Sequence, residues 1–217
     1  TNSTKLVRED LCGEAIRLCK LLLKKEKFRS GSMYALFALL CFHASRLASK
    51  TNSENEIVDI REQNRSLWHF PLIEIANRAM NKSSDYQDVS IYHFEAAIAF
   101  EHVKVKTFEA TNWAKILYWY TKLNELQPNT FTGLNMAIVN LQLNQFEDAR
   151  RLLDAMAIES LGQRQYLYYG CYAEYHSKKG DKRLALSFLE KAISKTSNSL
   201  EKAYLLKKKN LLESAIR

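Results

Sequence analysis

The chain has 217 residues, 47% of them hydrophobic and 26% charged, a balance that suits a folded cytosolic protein of one domain or two small ones. Six glycines and two prolines are too few for the tight turns of an all-β protein of this length, so long helices joined by short loops are expected. A net charge of +8 permits contact with nucleic acid or an acidic protein surface and specifies neither.

In chain order, Thr1-Asn-Ser-Thr-Lys carries no apolar core after its charge, so no secretory signal is expected, and the sequence reads as one that begins inside a longer protein. From about residue 6 to 27, Leu11, Ala15, Leu18 and Leu22 recur at steps of four, three and four, opposite Arg17, Lys20, Lys24 and Lys25. This predicts an amphipathic helix whose leucine stripe faces the core. Cys12 and Cys19 fall on the same side and read as core. With Cys41 and Cys171 they form no CxxC pair, so neither a disulfide framework nor a zinc site is expected.

A second helix follows Gly31 and Ser32. It is apolar nearly all round through Phe42, too short to span a bilayer, and should be covered by neighbours on more than one side. Residues 50–63 are polar around Ile57-Val58-Asp59-Ile60 and predict a structured connection, with helices to follow near Leu67 to Met80 and Ser90 to Val103.

Downstream a repeat emerges. Asn144 and Gly180, 36 residues apart, align as the ends of the first helices of two helical hairpins. Ala149 then matches Ala185, Leu153 matches Leu189, and Met156 matches Ala192; counting back, Ala137 and Gly133 correspond to Ala173 and Tyr169. The pattern is similar to the tetratricopeptide repeat, a unit of about 34 residues in which a small residue on the second helix admits close approach of the first. Trp113 to Pro128 reads as a further half-repeat. A last helix, opened by Asn198 with Glu201 three residues on, is expected to cap the array with Lys207, Lys208 and Lys209 outward.

No nucleotide-binding glycine loop, nucleophile elbow or metal-binding helix motif occurs in the sequence. The histidines are scattered, and His93 and Glu95 lie about 200° apart on a helix and cannot act as a pair. Tyr166, Tyr168, Tyr169, Tyr172 and Tyr175 could stack bases beside Arg164 and Lys178, but three of them share a stripe that repeat packing explains. The segment Glu62-Gln-Asn-Arg-Ser-Leu-Trp68 combines hydrogen-bonding side chains with a large aromatic directly before a helix. Taken alone, it reads as a helix start in which Trp68 packs and Arg65 pairs locally.

That segment, followed by Tyr92-His-Phe-Glu-Ala-Ala-Ile-Ala99 with His102, Thr111-Asn-Trp113 and Leu134-Asn-Met-Ala137, resembles the C-terminal tetratricopeptide-like extension of an extracytoplasmic-function (ECF) sigma-70 family RNA polymerase sigma factor. The resemblance runs from about Arg8 to the end. It implies a parent protein whose sigma domains 2 and 4, absent from this chain, bind core polymerase and promoter DNA.

The expected fold is all-α, a right-handed superhelix of tetratricopeptide-like helical hairpins with about ten helices. A helical portion would occupy residues 1–110 and the repeats 111–217, as one continuous unit. The expected role is a cytoplasmic regulatory or protein-interaction domain, not an enzyme, with no cofactor, metal or membrane contact. Its partners would be the missing sigma domains, the polymerase core or a regulator. The candidate interaction residues are Glu62, Gln63, Asn64, Arg65, Trp68, Tyr92, His93, Glu95, His102, Trp113 and Asn135. The alternatives are a nucleic-acid-binding solenoid and a ligand-sensing helical domain with a pocket near Trp68, Tyr92 and His102.

Overall fold

A computed structural model describes residues 9–215. Among them the fold is all-helical, with ten α-helices, four short 3-10 segments and one isolated antiparallel bridge between Thr51 and Ile57. Contacts divide the chain into two compact units that meet in sequence between Leu126 and Gln127.

The first unit holds α1 (Glu9–Leu23), α2 (Gly31–Ala44), α3 (Phe70–Ser83), α4 (Ile91–Val103) and α5 (Trp113–Leu126). Its centre is α2, which packs against α1, α3 and α4, as a helix apolar on every side must. Ala35, Ala38, Cys41 and Phe42 are each fully buried. The start of α2 is held from a distance. The Asp88 carboxylate accepts the amides of Gly31 and Ser32, both at 2.7 Å, and the Ser32 hydroxyl at 2.5 Å, satisfying donors that the helix leaves unpaired. Position 31 requires glycine, because a Cβ there would stand 2.9 Å from Asp88 Oδ1 and 3.0 Å from the Ser83 carbonyl.

The leucine stripe of α1 departs from expectation. Leu11, Leu18 and Leu22 are 55%, 48% and 39% exposed, whereas Cys19 is buried and Ile16 and Leu23 pack on the core beside it. The apolar arc of α1 is wider than the face it turns to α2, and the covered edge is the one carrying Ile16, Cys19 and Leu23.

The second unit holds α6 (Thr130–Gln142), α7 (Phe146–Asp154), α8 (Gln165–Lys178), α9 (Lys182–Lys195) and α10 (Ser199–Ser214). Helices α6 and α7 form one hairpin and α8 and α9 the next; α8 packs on α6 and α7, and α10 closes on α9. The residues at the two hairpin turns, Asn144 and Gly180, both have positive φ, 58° and 85°, the left-handed conformation that ends a helix. Ala149 and Ala185 are each fully buried, as are Leu153 and Ala192. Small residues therefore sit where α7 and α9 meet their partners. Asn198 caps α10 by accepting the amides of Leu200 and Glu201.

Candidate functional site

Three of the four sequence segments singled out above meet in the first unit. Residues 62–68 leave the loop as a 3-10 turn, Arg65–Leu67, with Asn64 accepting the Ser66 amide at its start. The chain then enters α3, capped by His69. Trp68 is 3% exposed, and its indole N–H donates to Ser49 Oγ at 2.8 Å. Gln63 bridges the loop to the segment just after α2: its Oε1 accepts Arg46 Nη2 at 3.0 Å, and its Nε2 donates to the Val58 carbonyl at 3.2 Å.

Arg65 pairs beyond its own turn as well as within it. Its Nη1 reaches the carbonyls of His102 at 2.6 Å and Val105 at 3.0 Å, tying the end of α4 to the start of α3 and meeting acceptors that a helix C-terminus leaves open. Both Arg65 and Arg46 lie against the Trp68 ring, at 4.5 and 5.2 Å from its centroid, within cation–π range. The His102 ring meets Trp113 edge-on at 5.5 Å. Gln63, Arg65, Trp68, His102 and Trp113 thus form one junction among α2, α3, α4 and α5.

The remaining candidates have other tasks. Glu62 is exposed, and Tyr92 packs at the margin of the first core. His93 completes a capping box with Ser90, its Nδ1 accepting the Ser90 amide at 3.1 Å. Glu95 is half-buried, and burial pushes its carboxyl up. Asn135 lies on α6 in the second unit.

Two charged residues outside the sequence candidates matter here. Arg46 is only 9% exposed and follows an apolar helix with no spacing signal to mark it. Glu101 is 1% exposed and pairs with Lys104 at 2.5 Å and Lys115 at 3.5 Å, joining α4 to α5. Its position directly after a largely apolar stretch of α4, Ala96 to Phe100, is the available sign.

The junction is electropositive. Burial pushes Arg46 down to about 10, with Arg65 adding repulsion, and burial with both arginines and His43 pushes His102 down to about 3. Arg46 Nε, Arg65 Nη2 and His102 Nδ1 find no hydrogen-bond acceptor or donor among the described residues. A neutral imidazole in this setting is neither poised to accept a proton near neutrality nor placed beside a nucleophile. The buried thiol of Cys41 is pushed up to about 12, away from thiolate chemistry. Among the described residues no cluster of three His, Cys, Asp or Glu side chains could hold a metal ion.

A second concave feature lies in the second unit. A cleft of about 420 Å³ is lined by Arg150 and Asp154 of α7, Tyr172, Tyr175 and His176 of α8, and Lys179 and Asp181 at the turn. Tyr172 donates to Asp154, and Arg150 Nε lies 3.3 Å from the same carboxylate. Tyr168, Tyr172 and Tyr175 are 8%, 9% and 4% exposed, so their rings are largely packed into the repeat core, whereas Tyr166 and Tyr169 are half-buried. No helix among the described residues is long and apolar enough to cross a membrane.

An uncharacterized protein of Rhizobium meliloti (strain 1021) is 30% identical over 207 residues, covering 94% of this chain and 48% of that protein. The chain therefore spans about half the length of this relative. No solved structure matches the chain. Residues 1–84 match the model of a family described as a family of unknown function, DUF6596.

Proposed function

We propose that the chain is the regulatory, protein-binding part of an ECF sigma factor, acting on the sigma domains of its parent protein or recruiting a protein regulator to them. The observation that carries the interaction role is the second unit. Two hairpins repeat in register at 36 residues, each locked by a buried alanine, and beside them lies a cleft of opposed charges from Arg150, Lys179, Asp154 and Asp181. Stacked hairpins of this kind present extended surfaces to peptides and proteins. The cleft assembles no nucleophile and base.

The link to transcription rests on the resemblance to a sigma-factor extension of residues 134–137 in the second unit and, in the first, of residues 62–68, 92–102 and 111–113. Two observations are consistent with it. The three first-unit segments build a single junction, and the Rhizobium relative is about twice as long as the stretch this chain covers, as expected if further domains share its polypeptide. The proposed protein is not an enzyme and works in the cytoplasm, with promoter DNA contacted by the sigma domains alone.

The test is transcription in vitro by the full-length parent protein, with and without residues 1–217 and with Arg150→Glu/Lys179→Glu. Deletion should change promoter output, and the double charge reversal should release a captured partner or uncouple the two parts. Identical transcription with and without the region, together with no captured partner, would overturn the proposal.

A further inference from the structure

Apart from the Trp68 junction, the first unit has an apolar trough along α2. Helix α2 forms a floor of Tyr34, Phe37 and Cys41. One wall is α1, through Ile16; the other is α3, whose Leu72, Ile75 and Ala79 recur on one helical face. The trough measures about 490 Å³. Its charged lining residues among the described ones are Lys20, Arg78 and Lys82, all cationic.

The counter-charges present are weak. Arg78 has Glu74 at 4.0 Å with both side chains over 70% exposed, and Lys82 pairs with exposed Asp85 at 2.6 Å. Solvent screens such pairs heavily. Lys20 has no ion-pair partner among the described residues.

From Leu72 to Lys82 the wall spans about 15 Å, at 1.5 Å per helical residue. An extended hydrocarbon chain can lie along an apolar trough of that length, and the cationic rim calls for an anionic head.

We propose that the trough between α1 and α3 is a binding site for an anionic amphiphile, an acyl chain lying over Tyr34, Phe37 and Cys41 with its carboxylate or phosphate held by Lys20 and Arg78. The site goes beyond the protein-binding role and stands or falls separately from it. Buried methylenes supply the affinity and the rim supplies the choice of head group. The three cations also make the affinity fall with salt.

The experiment uses the whole chain and carboxyl-labelled dodecanoate, followed by carbon NMR below its micelle concentration, with dodecanol and dodecyltrimethylammonium as competitors. Dodecanoate should saturate one site. Dodecanol should bind at least tenfold more weakly, and the cationic amphiphile should fail to compete. Lys20→Glu/Arg78→Glu, both at exposed positions, should weaken dodecanoate at least tenfold and leave dodecanol unchanged, and Ile75→Gln should weaken both, with the melting temperature reporting that each variant is folded. Equal affinity for all three amphiphiles, no saturable binding, or retention of an acidic amphipathic peptide that dodecanoate cannot displace would overturn the site. Full-length transcription and partner capture are separate readouts, so failure here is distinguishable from failure of the regulatory reading.

Discussion

Arg65 shows how much one side chain can bind together. It lies on Trp68 and donates to two carbonyls, those of His102 and Val105, 37 and 40 residues further along the chain. Hydrogen bonds from a charged group contribute about 1.5–3 kcal/mol each, less where solvent reaches them. Arg65→Ala should therefore destabilise the first unit by about 2–4 kcal/mol in urea titration. Arg65→Lys should recover less than half of that, because an ammonium cannot span both carbonyls and lie flat on the indole. Equal stability of the alanine variant and the parent would mean that the long-range bonds are not made in solution. Asp88 provides a pH test at the same scale. Hydrogen bonds from the Ser32 hydroxyl foremost, then from the Ser32 and Gly31 amides, pull its carboxyl down to about 2 from an unfolded value near 3.8. A depressed carboxylate stabilises the fold above its unfolded value and loses that contribution as pH falls toward its folded one. Asp88→Asn should melt below the parent at pH 7, and the gap should close between about pH 4 and pH 2.

At the scale of helices, the hairpins depend on two kinds of small residue. Gly180 has a φ of 85° with open space where a Cβ would be, so Gly180→Ala should cost about 1–2 kcal/mol for conformation alone. Ala185 is fully buried between α8 and α9, so Ala185→Leu should cost about 1–3 kcal/mol by overpacking. A thermal melt of each variant checks both. These positions were legible in the sequence because helix ends and close approaches restrict residue type, and the restriction recurs every 36 residues. The α1 stripe was legible only in part. Periodicity locates an apolar arc, but here the arc runs from Leu11 and Leu18 round to Ile16 and Leu23, and only one edge is covered. Which edge is a fact of tertiary packing. Arg46 was not legible at all, because its burial arises from a loop that folds over it and a tryptophan 22 residues away.

At the scale of the molecule, the sequence left nucleic-acid binding open on two features, a charge of +8 and a run of tyrosines. Burial of Tyr168, Tyr172 and Tyr175 at under 10% exposure takes three of the five tyrosines out of the stacking surface that single strands use, and leaves Tyr166 and Tyr169 half-buried. Part of the basic run is also engaged, since Lys209 pairs with Glu190 at 2.9 Å and Glu213 at 3.6 Å. What remains is diffuse positive charge, which binds phosphate through counterion release and so falls steeply with salt. The chain alone should retard promoter DNA and an unrelated duplex equally at about 50 mM salt, and should retard neither by about 200 mM. Retention of promoter DNA over the unrelated duplex at the higher salt would move the function from protein binding to direct readout, since sequence preference needs contacts to base edges that diffuse charge cannot supply.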